Sequence, residues 1–220
     1  RRPQRSTLFP YTTLFRSEIS FYQNLDYKDK YIDVLITGVG MVATAYWMGK
    51  ILHDNTYNIA INVGIAGTYN TKHKIGTVVN VSRDIFIEMG SQINNSFESV
   101  FDMGLISGSA HPFYNGAIIN EDIYKGVASE MPIVTGATSN TINSIPTEIN
   151  QIKKDFNPDV ESMEGGAFAY ACKTDNIPYL QLRSISNIVG PRENGKWNIA
   201  LAIKNLNDTL IRILQQNEIL

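Results

Sequence analysis

The sequence predicts an α/β fold in which a largely parallel β-sheet is covered by helices on both faces. Short apolar runs typical of buried strands alternate along the chain with longer segments of helical character, and this alternation favours parallel strands joined by crossover helices. Glycine-rich turns follow two of the strands. With 220 residues, the chain has the length of one domain with a full-sized core.

The first predicted α/β unit consists of a strand, a glycine turn and a helix. The apolar run at residues 32–37 predicts a strand, and the glycine turn at 38–40 leads into an apolar-rich helix at 41–53. Residues 59–63 predict a second buried strand, and a glycine-rich turn is expected at 64–67.

The rest of the chain continues the alternation. Residues 91–116, rich in Asn, Ser and Gly, predict a long loop, and long loops often carry function. Apolar residues at helical spacing predict the last helix at 197–215. Further strands are expected at 77–81, 85–88, 133–136 and 177–187, and further helices at 146–155 and 163–174.

Composition excludes several classes of protein. The chain is 43% hydrophobic and 18% charged, as in soluble globular proteins, and no apolar run approaches the length of a membrane span. A net charge of −2 leaves no electrostatic footprint for nucleic acid or an anionic membrane. The single cysteine, Cys172, excludes an internal disulfide framework. We therefore expect a cytoplasmic protein.

Residues 1–17 lack the pattern of an α/β domain. Three of the first five residues are Arg, and residues 6–9 are nearly repeated at 12–15. No apolar segment of signal-peptide length precedes a small-residue cleavage site. The segment resembles translated adapter or cloning sequence; the alternative is a divergent first strand. We expect one domain at 18–220 and leave residues 1–17 out of the functional interpretation.

Two motifs place polar side chains where α/β sheets form their ligand sites. Ser-Met-Glu-Gly-Gly-Ala, at 162–167, opens a helix, and Arg-Ser-Ile-Ser-Asn, at 183–187, ends the next strand. Ligands bind outside the carboxyl ends of strands, so Glu164 and Asn187 are expected to meet in one pocket. These motifs resemble those of the nucleoside phosphorylase and nucleosidase superfamily, and within it those of the futalosine hydrolases. The resemblance covers nearly all of the chain from Glu18 onward.

The resemblance carries expectations for the whole protein. It implies a three-layer α/β/α sandwich around a central mixed sheet, and hydrolysis of the N-glycosidic bond of futalosine. The products would be hypoxanthine and dehypoxanthinylfutalosine, on the route to menaquinone. It also implies a small-molecule nucleoside substrate and no metal or organic cofactor. Because relatives complete their sites beside a two-fold interface, a homodimer or larger homo-oligomer is expected.

Glu164 is the first residue to which the resemblance gives a role. Alone, it would be an ordinary glutamate that complements a helix dipole. In the family, Met-Glu lines the ribose, and the carboxylate accepts hydrogen bonds from the ribose hydroxyls. Such a carboxylate also stabilises an oxocarbenium-like transition state. The resemblance assigns Met163, Ser162 and Gly64 to substrate binding as well.

Asn187 bears on which base is released. Adenosine-type nucleosidases of the superfamily have Asp here, which can protonate N7 of adenine. An Asn cannot give up a proton, but its amide can donate to O6 and accept from a protonated N7. That pattern suits a 6-oxopurine such as hypoxanthine. The structural alternative is a strand-end Asn that caps a turn.

Asn62 bears on the nucleophile. Family phosphorylases usually carry Arg at this position, because a phosphate dianion needs a charged, forked donor. Asn62 therefore favours hydrolysis and is assigned to the substrate site, although a buried Asn that fixes the turn would also account for it. A 6-oxopurine nucleoside phosphorylase is the alternative enzyme.

Three further assignments come from position relative to the motifs. Glu18 falls where the family has the glutamate that activates the attacking water, a role worth roughly 10²–10⁴-fold in rate. Trp197 falls where related nucleosidases close an aromatic over the base; its alternative is core packing. Arg192, in the loop before Trp197, is expected to bind the benzoate group of the substrate. The alternative, which is commoner for charged residues in loops, is a side chain exposed to solvent.

A non-catalytic alternative rests on the turn at 38–40. Gly38 and Gly40 match a dinucleotide-binding glycine pattern, but the second strand lacks the acid that would bind ribose. The three histidines are far apart in sequence and have no metal-ligand spacing. A metal site is therefore not expected.

Overall fold

The computed structural model describes residues 5–11, 20–27, 30–93, 96–191 and 197–216. The helices are α1 (Met41–Asp54), α2 (Pro146–Phe156), α3 (Gly165–Thr174) and α4 (Ile199–Leu214), with a 3₁₀ helix at Gly126–Glu130. The strands are β1 (Arg5–Tyr11), β2 (Ser20–Tyr27), β3 (Lys30–Ile36), β4 (Tyr57–Thr68), β5 (Val78–Phe86), β6 (Gly90–Ile93), β7 (Ser96–Ser99), β8 (Ile118–Ile119), β9 (Ile133–Thr138), β10 (Val160–Ser162) and β11 (Tyr179–Ile188).

The central sheet is mixed, as expected. Its order is β10-β9-β5-β11-β4-β1-β3-β2, with β8 paired to β5. Strand β1 pairs in parallel with β3 and β4, and β4 pairs in parallel with β11. By contrast, β2 is antiparallel to β3, β5 is antiparallel to β11, and β10 is antiparallel to β4. The α/β fold with a central mixed sheet is therefore confirmed.

Five strands close on themselves, because β10 pairs with β4 as well as with β9. The closed part is filled by small and β-branched side chains that pack as one cluster: Ala66, Val79, Val81, Val134, Val160 and Ile185. Closure brings the ends of β4, β10 and β11 together at one rim.

Helices cover both faces of the sheet. The α1 and α3 helices pack on one face, against a cluster that includes Leu35 and Ala60. The α4 helix packs on the other face, against Ile59 and Ile61. Adjacent residues of β4 thus point to opposite layers, as strand geometry requires. Burial on both faces explains why β4 reads as an almost continuous apolar run.

Three local predictions differ from the structure. The expected turn at 64–67 is strand, because β4 continues to Thr68 and pairs there with both β10 and β11. The two strand pieces expected at 77–81 and 85–88 form the single strand β5. The loop expected at 91–116 begins with a short hairpin of β6 and β7.

Strand β1 lies within residues 1–17. It pairs in parallel with β3 on one side and β4 on the other. A strand therefore occupies this position in the sheet, and the cloning origin of the segment stays a prediction. Within the described parts of the chain, no helix is both long and apolar enough to cross a membrane.

Candidate active site

A pocket opens at the rim where β4, β10 and β11 end and α3 begins. It holds about 610 Å³ of space that protein atoms do not fill, including its open mouth. Its lining residues are Val39, Ile65, Ala66, Gly67, Ile142, Glu161, Ser162, Met163, Glu164, Ser186, Asn187 and Trp197.

The pocket has two ends with different chemistry. We call the region around Glu164, at the start of α3, the helix end. We call the region around Glu161 and Asn187, on β10 and β11, the strand end. The pocket therefore joins Glu164 and Asn187, the two residues that the motifs predicted would meet.

At the helix end, Glu164 precedes the first turn of α3, and a backbone amide holds its carboxylate in place. Its Oε1 accepts a hydrogen bond from the N–H of Gly40 at 2.8 Å. Gly40 has a φ of +90°, a conformation that a side chain rarely adopts. The glycine turn before α1 thus aims an amide at the carboxylate, and this is the physical reason for Gly at position 40.

Burial sets the charge behaviour of Glu164. The residue is 8% exposed, and burial raises the pKa of its carboxyl above the ordinary 4.5. The Gly40 N–H and the charge of Arg183 act in the opposite direction on this pKa. A carboxylate that is desolvated and held by fixed donors is preorganised for interactions with positive charge.

The two glycines after Glu164 allow α3 to approach the sheet. A Cβ on Gly165 would lie 2.5 Å from Asp84 Oδ2 and would also overlap the amide of Gln181. A Cβ on Gly166 would lie 2.7 Å from the Phe86 ring. The Gly-Gly pair of the motif is therefore a packing requirement that brings Glu164 to the rim.

Arg183 lies beneath the helix end and is fully buried. It donates to Asn62 Oδ1 and, at 2.8 Å, to the carbonyl of Leu182. Burial lowers the pKa of Arg183, whereas the charges of Glu164 and Asp84 raise it. This guanidinium is a feature that the motif contained but to which sequence reasoning gave no role.

Asn62 and Gly64 do not line the pocket, so their predicted contact with substrate has no support here. Asn62 is 1% exposed and serves as an acceptor for Arg183. Gly64 is the backbone partner of Arg183 in the β4–β11 ladder. Asn62 thus supplies one of the acceptors that the buried guanidinium requires.

At the strand end, Gly67 is the register partner of two polar residues. It pairs with Glu161 of β10 on one side and with Asn187 of β11 on the other. A Cβ on Gly67 would lie 3.2 Å from Asn187 Nδ2 and 2.8 Å from Val189. A glycine is therefore needed at position 67, because Val189 and the Asn187 amide pack directly against it.

The amide of Asn187 is oriented by its neighbours. Its Oδ1 lies 2.8 Å from the Ser186 hydroxyl, which donates to it, and its Nδ2 donates to the Ile188 carbonyl at 3.1 Å. An amide has two donors and two acceptor positions, so one of each is left for a ligand. The predicted reading of a base edge by Asn187 fits this arrangement and stays a prediction.

Glu161 is a pocket residue that sequence reasoning missed. It is 7% exposed and accepts hydrogen bonds from the Tyr69 hydroxyl and the Asn143 side chain, and from the Asn143 N–H at 3.2 Å. Burial raises the pKa of its carboxyl, and the Tyr69 and Asn143 donors lower it. A second Glu directly before the Ser-Met-Glu motif was the available signal.

The remaining predicted residues divide into two groups. Ser162, Met163 and Trp197 line the pocket, and Ser162 Oγ also accepts from the Gly165 N–H at 3.3 Å. Glu18 and Arg192 lie outside the described residues. Ile142 also lines the pocket, and no sequence motif pointed to it.

Among the described residues, no cationic side chain lines the pocket where it could bind a phosphate. None of the lining residues is Lys or Arg, and the described parts of the chain contain no group of three His, Cys, Asp or Glu that could hold a metal ion. The Gly40 N–H at the start of α1 is bonded to Glu164. A pyrophosphate would have to displace that carboxylate, which argues against the dinucleotide alternative.

A comparison with protein families shows which family the chain belongs to. The model of the Phosphorylase superfamily matches residues 9–215. The chain belongs to the Phosphorylase superfamily. The matched range includes every residue that lines the pocket, at both of its ends.

Curated members of the Phosphorylase superfamily align over most of the chain. A futalosine hydrolase from Thermus thermophilus is 24% identical over 188 residues, covering 83% of this chain and 80% of the relative. A 5'-methylthioadenosine/S-adenosylhomocysteine nucleosidase from Tolumonas auensis is 23% identical, covering 84% of this chain and 82% of the relative.

Among solved structures, a nucleosidase with the same name from Colwellia psychrerythraea, in complex with adenine, superposes with a TM-score of 0.79. It is 17% identical, and the match covers 98% of this chain and 97% of that one. At this identity the likeness establishes a shared fold.

Proposed function

We propose that this chain hydrolyses the N-glycosidic bond of futalosine and releases hypoxanthine and dehypoxanthinylfutalosine, a step towards menaquinone. The observation that carries the proposal is the pocket that joins a buried carboxylate, Glu164, to an oriented amide, Asn187. Relatives named as hydrolases and nucleosidases support N-glycosidic hydrolysis as the reaction class.

The helix end supplies the charge that the reaction needs. In our proposal, Glu164 accepts hydrogen bonds from the ribose hydroxyls, and Met163 packs on the sugar. Glycosidic bond cleavage passes through an oxocarbenium-like transition state, which the fixed negative charge of Glu164 stabilises. Holding Glu164 with the Gly40 N–H lowers the reorganisation needed as that charge develops.

The strand end supplies stabilisation of the leaving base. The N–H of Asn187 that is not bonded to Ile188 donates to O6, and its oxygen accepts from N7 once that nitrogen is protonated. Trp197 closes over the base. An adenine presents an amino group where hypoxanthine presents O6, which leaves the Asn187 donor unpaired and lowers affinity.

Water is the proposed nucleophile, with Glu18 as its general base. The lining contains no Lys or Arg among the described residues, and Arg183 is already bonded to Asn62 and Leu182. A phosphate dianion would need charged donors, so these contacts favour hydrolysis over phosphorolysis.

We also propose a homodimer or larger homo-oligomer in which a second copy covers α1. Val42 is 79% exposed and Tyr46 61% exposed on this helix, and half-exposed Val39 at its start lines the pocket. Covering these residues would bury apolar surface and complete the pocket mouth. The cytoplasm is the proposed location, since the single cysteine is buried and free.

The interface has a direct test. Replacing Val42 with Asp puts a charge in the proposed contact, and we expect sedimentation velocity to show a shift towards monomer. Ile123 is 83% exposed elsewhere, so Ile123→Asp is the matched control and should leave the oligomer unchanged. An oligomer that survives Val42→Asp would contradict an interface at α1.

The activity is tested by following base release from futalosine, inosine and methylthioadenosine, each with and without phosphate. We expect hypoxanthine from futalosine at a rate independent of phosphate. A phosphate requirement would instead make the chain a 6-oxopurine nucleoside phosphorylase. Adenine release from methylthioadenosine alone would overturn the role given to Asn187.

The same assay tests the proposed cloning origin of residues 1–17. A second chain carries a regular apolar strand in place of these residues. Activity that is restored or increased in that chain would support the proposal. Activity that is lost would show that residues 1–17 belong to the enzyme.

A further inference from the structure

The two helices at the helix end begin without capping side chains of their own. Gly40 precedes α1 and has no side chain, and Glu164 precedes α3 but makes no capping hydrogen bond with its carboxylate. The first N–H groups of a helix have no acceptor within that helix, so they need partners from elsewhere. Side chains at the end of β9 supply such a partner to both helices.

Thr138, the last residue of β9, is the partner for α3. It is fully buried, and its hydroxyl accepts from the Gly166 N–H at 2.7 Å and donates to Asp84 Oδ1 at 2.6 Å. Asp84 is itself 2% exposed and also accepts from Gln181 at 2.7 Å. Because the Thr138 hydroxyl gives its hydrogen to Asp84, its lone pairs are free to face the start of α3.

Asn140, two residues further along the chain, is the partner for α1. Its Oδ1 accepts from the Met41 N–H at 3.3 Å. Glu88, which follows β5, fixes the backbone that carries Asn140. Its carboxylate accepts from the Asn140 N–H at 2.9 Å and from the Ser139 hydroxyl. The end of β9 is therefore anchored on a neighbouring segment of the chain at both positions.

These contacts lie next to the hydrogen bond that joins the two helix starts. The Gly40 N–H, one residue before Met41, donates to Glu164 Oε1 at 2.8 Å. Glu164 lies two residues before the Gly166 N–H that Thr138 accepts. Each partner in the Gly40–Glu164 bond is thus within two residues of a contact with the end of β9. A shift of either helix start would move the carboxylate relative to the pocket.

We propose that Thr138 and Asn140 are positioning residues that set where the Glu164 carboxylate meets the ribose. Neither lines the pocket, so they act through the starts of α1 and α3 rather than on the substrate. Thr138 makes the larger contribution, because its hydrogen bonds are short and buried, whereas that of Asn140 is longer and exposed. The inference rests on the proposed contact between Glu164 and the ribose.

Binding of a nucleoside and of its base tests the assignment without requiring turnover. 9-Deazainosine has a carbon–carbon bond in place of the glycosidic bond and cannot be hydrolysed, and 9-deazahypoxanthine is the same base without ribose. Isothermal titration calorimetry of the full chain gives the ratio of the two affinities, which measures the ribose contribution. Thr138→Val keeps the shape of the side chain but removes the hydroxyl, and the ratio should fall roughly 3- to 10-fold, the range of one hydrogen bond. Thr138→Ser keeps the hydroxyl and should keep the ratio.

Thr68→Val is the matched control. Thr68 is likewise fully buried at the last position of a strand, but its hydroxyl bonds to the carbonyls of Asn70 and Asp159. This variant should lose stability in thermal unfolding and keep the ratio. An equal fall in both valine variants would mean that the ratio follows stability alone and would overturn the proposal. An unchanged ratio in Thr138→Val would overturn it as well.

A double variant shows whether Thr138 acts through Glu164. In the Glu164→Gln background the ribose contribution is already weakened, and Thr138→Val should lower the ratio by less than about twofold, since changes that act through one contact do not add. A full further loss would place the effect elsewhere and overturn the proposal. Asn140→Ala alone should lower the ratio by about twofold, and an unchanged ratio would overturn the part given to Asn140.

The result is distinguishable from failure of the proposed function. A chain in which Thr138→Val lowers the ratio, but which does not hydrolyse futalosine, keeps this inference and loses the substrate. A chain that hydrolyses futalosine with an unchanged ratio in Thr138→Val keeps the substrate and loses the role of Thr138. If the unaltered chain bound 9-deazainosine no more tightly than its base, both this inference and the ribose contact of Glu164 would be overturned.

Discussion

The helix end and the strand end of the pocket hold their polar side chains by different means. At the helix end, a backbone N–H of Gly40 fixes Glu164, and the glycine pair after it sets its distance from the sheet. At the strand end, side chains fix one another: Ser186 orients Asn187, and Tyr69 and Asn143 orient Glu161.

This difference suggests a division of labour. Backbone contacts depend on the fold and cannot be exchanged by one substitution, which suits the part of the reaction that every N-glycosidic substrate shares. Side-chain contacts can be exchanged singly, which suits the part that distinguishes one base from another. The following predictions separate the two ends.

The largest effect is expected at the helix end. Glu164→Gln removes the negative charge, and kcat should fall about 10²–10³-fold for every accepted substrate, since preorganised electrostatic groups contribute on this scale. Thermal stability should be kept or raised, because burial opposes the ionised form of Glu164 in the folded state. Steady-state kinetics and thermal unfolding measure the two responses.

The control for that variant is Glu148→Gln, which makes the same change in the first turn of α2, at an exposed position outside the pocket. It should leave kcat unchanged. Full activity in Glu164→Gln would remove the helix end from the reaction.

A substitution at the strand end should change preference rather than overall rate. Asn187→Asp supplies a group that can protonate N7 and accept from a 6-amino group, so the ratio of kcat/KM for adenine over hypoxanthine nucleosides should rise roughly 10- to 100-fold. Base release quantified by chromatography gives the ratio. Asn58→Asp, at the exposed start of β4, is the control. An unchanged ratio would mean that Asn187 does not read the base.

Low pH should inactivate the enzyme by protonating Glu164 at the helix end. Glu164 must be ionised to stabilise positive charge, and burial raises its pKa above 4.5, so kcat/KM should decline about tenfold per pH unit below that raised pKa. The sign for stability is opposite: a raised pKa in the folded state stabilises at low pH, and that contribution is lost as pH rises through it. A pH profile of kcat/KM with an acid limb at or below 4.5 would contradict this environment for Glu164.

A smaller effect concerns the glycine pair. In Gly165→Ala the new methyl group would overlap Gln181 and lie 2.5 Å from Asp84 Oδ2, so unfolding free energy should drop by about 1–3 kcal/mol. Gly49→Ala is the matched control within α1, where a Cβ meets nothing within 4 Å, and should stabilise by about 0.5–1 kcal/mol. Chemical denaturation distinguishes the two. Equal stability of both variants would remove the packing reason for Gly165.

Much of the fold could be predicted because local signals agreed with the tertiary structure. The glycine turn before α1 and the periodicity of α4 predicted those helices to within two residues at their ends. The error at 64–67 arose because Gly67 in β4 serves close packing against Val189 and Asn187 rather than a turn. A single sequence does not distinguish these two uses of glycine.

The site was predictable where a motif carried it. Met163, Glu164 and Asn187 stand in motifs that could be recognised, and the structure brings them into one pocket. Glu161 was missed because its place in the pocket depends on closure of β10 onto β4, a contact between strands that are distant in sequence. The assignment of Asn62 to the substrate site stays a prediction; in the structure Asn62 accepts a hydrogen bond from the buried Arg183, a contact that the sequence did not indicate.

One competition experiment tests the division between the two ends most directly. Futalosine and methylthioadenosine are supplied at equal concentration in one phosphate-free reaction, and the ratio of hypoxanthine to adenine is measured over time. Our account predicts an excess of hypoxanthine in the unaltered chain and a reversal of the ratio towards adenine in Asn187→Asp, with both products suppressed together in Glu164→Gln. An excess of adenine from the unaltered chain would contradict it.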